Sequence, residues 1–120
     1  MSAINLNTGE YGWQIPLGEY PELAENGTKN TGTENYGGPI VTAGGLVFTA
    51  LQDGWVVAYN DDTLEELWRF NVGTALKGAP VTYMIGTKQY VAVQTSGRHL
   101  HPVKFDNFQD SSYMFVFALN

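Results

Sequence analysis

The residues able to do chemistry are few, and they fall in irregular parts of the chain. His99 and His101 are the only histidines, two residues apart, with Arg98 beside them in the run QTSGRHLHPVK. In extended backbone alternate side chains share a face, so the two imidazoles could form half a metal site. Solvated loop histidines are the alternative, and no third ligand stands nearby. Arg98 could hold a cofactor carboxylate through the two parallel hydrogen bonds a guanidinium offers; an exposed loop arginine is the other reading. Asp53, Asp61 and Asp62 lie in turn sequences, and Asp106 and Asp110 lie in an irregular stretch without a general-base motif. There is no cysteine, which removes disulfides and thiolate metal sites. The net charge of −6 argues against nucleic acid and anionic membrane surfaces, both of which select basic patches.

The elements that must position these residues repeat. Ala58 to Trp68 reads AYNDDTLEELW, and Ala3 to Trp13 reads AINLNTGEYGW. Ala3/Ala58, Asn5/Asn60, Thr8/Thr63, Glu10/Glu65, Trp13/Trp68 and Gly18/Gly73 are all 55 residues apart, and Ala118-Leu119-Asn120 starts a third copy. A fixed long period is the mark of a repeat architecture whose units bury their apolar faces on one another. Trp55 to Tyr59 is aromatic and β-branched, Asn60 to Thr63 carries turn-forming side chains, and Leu67 to Val72 alternates apolar and polar, so each copy is a β-hairpin. Trp13 and Trp68 enter their second strands at the same phase, as anchors between neighbouring sheets.

The composition agrees: 43% hydrophobic residues, 14 glycines, 13% aromatic and only 15% charged residues form an all-β profile. Strands are expected at 38–42, 46–51, 55–60 and 67–72, with glycine turns at Ala43-Gly44-Gly45 and Gln52-Asp53-Gly54. The pattern restarts at Gly78, where Ala79-Pro80-Val81-Thr82 echoes Gly38-Pro39-Ile40-Val41. The division predicted is the end of one unit at 1–17, a long loop at 18–37, a complete unit at 38–73, and a further unit at 78–120 with a long loop at 95–111. Four-stranded antiparallel repeats of this size are blades of a β-propeller; a Greek-key sandwich would not need its strands to recur in phase. In an antiparallel meander, alternate connections fall on opposite faces. Both long segments belong to the same set, and loops held by a rigid scaffold carry function more often than the scaffold does. Asn26-Gly27-Thr28 matches a glycosylation sequon, which a surface turn explains as well.

The unit Ala-x-Asn-x-x-Thr-(Gly)-x-x-x-Trp resembles the tryptophan-docking motif of the quinoprotein dehydrogenases, eight-bladed propellers that bind pyrroloquinoline quinone (PQQ). The run NYGGPIVTAGGLVFTALQDGWVVAYNDDTLEELWRF, followed by GAPVTYMIGTKQYVAV, is similar to the C-terminal blades of membrane-type glucose dehydrogenases and of alcohol and methanol dehydrogenases. The resemblance implies alcohol or aldose oxidation by hydride transfer to PQQ, with calcium or a related ion polarising the quinone, in the periplasm. Tyr36 falls where methanol-type relatives place a tryptophan near the quinone, so the resemblance gives it a cofactor-lining role, with Asn35 and Gly37 beside it. A loop tyrosine packed on its own blade is the other reading. Where methanol-type relatives have a glycine-rich run with a tryptophan, this chain reads QTSGRHLHPVK, which points to a sugar or other polyol. No segment matches the family's base or its metal ligands, so the lone chain is expected to be inactive. Two repeats leave apolar faces and strand edges open, which predicts a homo-oligomer or a place within a larger propeller. A non-catalytic interaction module, or a self-assembling blade pair that completes its ring by oligomerisation, is the alternative.

Overall fold

A computed structural model of the chain describes residues 1–96 and 112–119. Its strands form three antiparallel sheets in chain order. β1 (Ser2–Ile4) pairs with β2 (Tyr11–Gln14); β3 (Ile40–Thr42), β4 (Leu46–Ala50), β5 (Trp55–Asn60) and β6 (Glu66–Asn71) make a four-stranded meander; β7 (Val81–Ile85), β8 (Lys88–Gln94) and β9 (Met114–Ala118) make the third sheet. Every strand neighbours the next one within its sheet, which is the simplest outcome of short, turn-rich connections.

The central sheet explains why β4 and β5 read as continuous apolar runs. Val47, Leu51, Val57 and Tyr59 form a buried cluster with Leu64, against which Met1, Trp13, Ile15 and Leu17 pack from the first sheet. The alternate residues face the third sheet: Ala50 and Val56 join Leu76 and Val93, while Phe48 and Ala58 join Val91. A sheet covered on both faces has no solvent side to fill with polar residues. Each fully buried aliphatic side chain here contributes about 1.5–3 kcal/mol.

The first and second hairpins share their register. Ser2↔Gln14, Ala3↔Trp13 and Ile4↔Tyr11 recur as Val57↔Arg69, Ala58↔Trp68 and Tyr59↔Glu66, and the pairing shifts after Ala3 and again after Ala58. The turns share these three bonds. Asn5 N donates to Glu10 O at 2.8 Å and Asn60 N to Glu65 O at 2.9 Å. Asn5 Oδ1 accepts from Asn7 N and Asn60 Oδ1 from Asp62 N, both at 2.9 Å. Thr8 Oγ1 accepts from Glu10 N and Thr63 Oγ1 from Glu65 N, both at 3.3 Å. The shared Asn and Thr are therefore the residues that satisfy turn amides. Of the three turn positions that differ in residue type, one reaches the core: Gly9 (φ 75°) is matched by Leu64 (φ 55°), whose side chain is buried in the central core.

The two indoles each pack toward the next sheet. Trp13 lies against the β4–β5 cluster, and Trp68 meets Phe117 of β9 edge-on at 5.1 Å. Trp68 is nevertheless 39% exposed, so it is a weaker anchor than expected. Strand limits also differ from the expected ones. The strand expected from Gly38 starts at Ile40, after Pro39, which has no amide to give a ladder. The first strand ends at Ile4, because Asn5 is already the turn. Inside the expected irregular loop, α1 (Pro21–Glu25) forms a short helix. Proline at its start and the helix formers Glu22, Leu23 and Ala24 favour it, and Gly27 (φ 88°) follows its end.

Candidate functional site

The meander sorts the connections onto two ends of the central sheet. At one end the 43–45 and 61–64 turns meet, Asp61 N donating to Gly45 O at 3.1 Å. At the other end lie the 51–54 turn, the long segment between β2 and β3, and the linker between β6 and β7. The long segment is fastened to the 51–54 turn at both of its ends. Near its start, Glu19 N donates to Asp53 Oδ2 at 3.0 Å. Near its finish, Asn35 Oδ1 accepts from Gln52 N at 3.2 Å. Its neck is closed by Thr33 N donating to Leu17 O at 2.7 Å. The start of the last long segment joins the same end, where Ser96 N donates to Ala75 O at 3.1 Å and Leu76 bridges Thr95.

Asp53 is the buried charge of this end. Burial raises its pKa above the ordinary carboxylate value, against the opposing pull of the Glu19 and Trp55 amides and of Arg69. Arg69 itself is held by Glu66, which raises its pKa, and its guanidinium lies 5.1 Å from the Trp55 ring centre. Two enclosed polar atoms, Gln52 Oε1 and Thr49 Oγ1, have no hydrogen-bond partner among the described residues. Native chains rarely leave such atoms unpaired, so Gln52 marks a point where a donor from a ligand or a water would be accepted.

The expected site residues take different parts. Asn35 is half-buried and its side chain is spent on the loop: Nδ2 donates to Leu17 O at 3.2 Å and to Thr33 O at 3.0 Å. Tyr36 is 58% exposed, with its ring available. Gly37 is pressed against the linker, where an added Cβ would lie 2.6 Å from Gly78 O. Arg98, His99, His101, Asp106 and Asp110 lie outside the described residues. Asp53 was legible only as a turn residue, and the signal that it anchors a loop 34 positions earlier was absent from local pattern. The feature of this end that suits a planar quinone is the exposed Tyr36 ring. Among the described residues there is no group of three His, Asp or Glu side chains that could hold a metal ion.

Stacked antiparallel sheets with their long loops gathered at one end define a β-propeller, and the comparisons with known proteins agree. The family model described as the β-propeller domain of PQQ glucose/ethanol/alcohol dehydrogenases matches residues 1–91, and the chain belongs to that family. The quinate/shikimate dehydrogenase (quinone) of Acinetobacter baylyi is 35% identical over 127 residues, covering 99% of this chain and 15% of that protein. The quinohemoprotein alcohol dehydrogenase of Comamonas testosteroni is 47% identical over 57 residues, covering 48% of this chain and 8% of that protein. Among solved structures, a europium-containing methanol dehydrogenase matches with a TM-score of 0.61 and 31% identity, over 78% of this chain and 14% of that one. The chain thus spans about 15% of the length of the quinate/shikimate dehydrogenase.

Proposed function

We propose that this chain is a C-terminal portion of the propeller of a PQQ-dependent dehydrogenase that oxidises a sugar or another polyol, and that it holds part of the cofactor's surroundings without carrying out turnover alone. The observation that carries this reading is the gathering of the 18–39 segment, the 51–54 turn and the 72–80 linker at one end of the sheets, with Tyr36 exposed among them. When bound, PQQ supplies the two-electron acceptor for oxidation of a substrate hydroxyl. Tyr36 would hold one of its faces by stacking, in the geometry aromatic pairs prefer. Asp53 and the 51–54 turn hold the loop that carries Tyr36. The catalytic base, and the ligands of a calcium or related ion, come from other parts of the parent enzyme. Arg98 is proposed to bind the cofactor, and His99 and His101 the substrate.

A polyol is favoured over a simple alcohol by the run QTSGRHLHPVK, which stands where methanol-type relatives have a glycine-rich run with a tryptophan. A periplasmic location goes with the reading. No helix of the described residues is long and apolar enough to cross a membrane. The hairpins of β1–β2 and β5–β6 are inferred to be copies of one unit, with the unit divisions at 1–17, 38–73 and 78–120.

An association of sheets is a second part of the proposal, resting on the outer face of the third sheet. Val81 is 57% exposed, Ile85 62%, Met114 68% and Val116 50%, on a face equivalent to the one the central sheet buries. Further sheets of a longer propeller, or a second copy of this chain, would cover it; a strict monomer at high concentration by sedimentation would remove the second option.

The test is a replacement. Putting these 120 residues in place of the matching stretch of the Acinetobacter baylyi quinate/shikimate dehydrogenase is expected to give a protein that reduces a dye with PQQ and a polyol substrate. The lone chain, given PQQ, calcium, glucose and dye, is expected to give no turnover. A folded replacement protein without PQQ-dependent activity would count against the reading.

A further inference from the structure

We propose that Asn35 is a positioning residue: it touches no cofactor and acts by fixing the backbone that presents Tyr36. The inference rests on the quinone reading for what Tyr36 does, but its physical content stands on the loop alone. The Asn35 amide has two N–H donors, and both are used, one on Leu17 O at 3.2 Å and one on Thr33 O at 3.0 Å. Its Oδ1 accepts from Gln52 N at 3.2 Å and lies 3.3 Å from the Thr33 hydroxyl. Turning the amide toward a ligand would strip partners from the Leu17 and Thr33 carbonyls and from the Gln52 amide together.

The residue after Tyr36 is held as firmly by a different means. Gly37 abuts the backbone of Gly78 and Ala79, where a Cβ would come within 2.6–2.8 Å of three main-chain atoms. Tyr36 is thus a 58% exposed ring between two fastened neighbours. That division suits a ring that must meet a rigid planar partner, since ordering the loop beforehand removes an entropy loss from the binding step. The side-chain type is specific too. An aspartate would keep the acceptor for Gln52 N but set a carboxylate against two carbonyl oxygens, so Asn35→Asp should fail as Asn35→Ala does.

The test uses the 120-residue chain labelled with 3-fluorotyrosine, the Tyr36 fluorine line being assigned by its loss in Tyr36→Phe. In both Asn35→Ala and Asn35→Asp the Tyr36 line is expected to move to the free-tyrosine position, and the Gln52 amide to exchange at least tenfold faster. The lines of Tyr83 and Tyr90, which stack at 5.3 Å in the third sheet, should stay where they are. An unchanged Tyr36 line with unchanged Gln52 exchange overturns the proposal. If Asn35→Ala collapses every tyrosine line, Asn35→Asp is read by the same criterion; collapse in both makes Asn35 a general stability residue and also overturns it. Equilibrium binding of PQQ to the quinate/shikimate dehydrogenase carrying these 120 residues, with and without Tyr36→Leu, tests the functional reading separately. Equal affinities would sink that reading and leave the role of Asn35, judged from line position and exchange, intact.

Discussion

Replacing Gly37 by alanine adds one methyl group at the tightest backbone crossing of the loop end, and the size of its effect can be worked out. The new Cβ would lie 2.6 Å from Gly78 O, 2.7 Å from Gly78 C and 2.8 Å from Ala79 N. Ordinary contact begins at 3.4 Å, so the two segments must part by about 0.6–0.8 Å. Because all three atoms are main chain, no rotamer change relieves the clash, and overpacking of this kind costs about 1–3 kcal/mol. Gly37 is not in the left-handed region, so alanine also restricts the unfolded chain, which returns about 0.4–1 kcal/mol. The clash wins, for a net loss of roughly 1–2 kcal/mol. Gly38→Ala and Gly78→Ala are the controls, since a Cβ at either meets nothing within 4 Å. Both should gain a few tenths of a kcal/mol to about 1 kcal/mol. In urea titrations at matched m-values, Gly37→Ala should lower the midpoint by about 0.5–1 M relative to the parent chain, while Gly38→Ala does not lower it. Equal midpoints for Gly37→Ala and Gly38→Ala would refute the close crossing and with it the fixed placement of Tyr36.

At Leu64 two effects oppose each other. Truncation to alanine empties a core position, at about 2–5 kcal/mol, but keeps the left-handed backbone (φ 55°) that costs a side chain about 1–2 kcal/mol. Leu64→Gly should therefore be as stable as Leu64→Ala or more so, by thermal or urea unfolding, where glycine would ordinarily be about 1 kcal/mol worse. Trp13→Ala should lower stability by about 2–4 kcal/mol and Trp68→Ala by only about 1–2 kcal/mol, because the second indole is 39% exposed; the reverse order in unfolding titrations would contradict the packing described. Asp53 has a raised folded-state pKa, so the folded chain takes up its proton before the unfolded chain does. Its stabilising contribution is present below the ordinary value of 3.8 and is lost as pH rises through the raised one. Comparing stability across acid pH in the parent and Asp53→Asn should show that this fall belongs to the parent alone.

The scaffold was readable because its signals are local. Asn5, Thr8, Asn60 and Thr63 are turn residues whose side chains bond amides two or three positions on, and an apolar run such as Val56 to Tyr59 specifies a strand whatever covers it. The sorting of loops onto one end followed from antiparallel direction alone. The site was less legible because its bonds are long-range. Nothing near Asp53 indicates that it receives Glu19 N, nothing near Asn35 that it receives Gln52 N, and Gly37 is needed because of Gly78, 41 residues later. Leu64 was hidden for a related reason, since a leucine in left-handed backbone is tolerated only where the core takes its side chain. The short helix at Pro21–Glu25 has a proline start and helix formers, but its polar surroundings masked so brief a pattern.

The central claim is that the loop end of these sheets lines a quinone. The direct measurement is a crystal structure, with PQQ bound, of the quinate/shikimate dehydrogenase carrying this chain in place of its matching stretch. The account predicts the Tyr36 ring in van der Waals contact with the quinone and the Asn35 amide still on Leu17, Thr33 and Gln52. A bound quinone that touches neither Tyr36 nor any residue of 51–54 would contradict it.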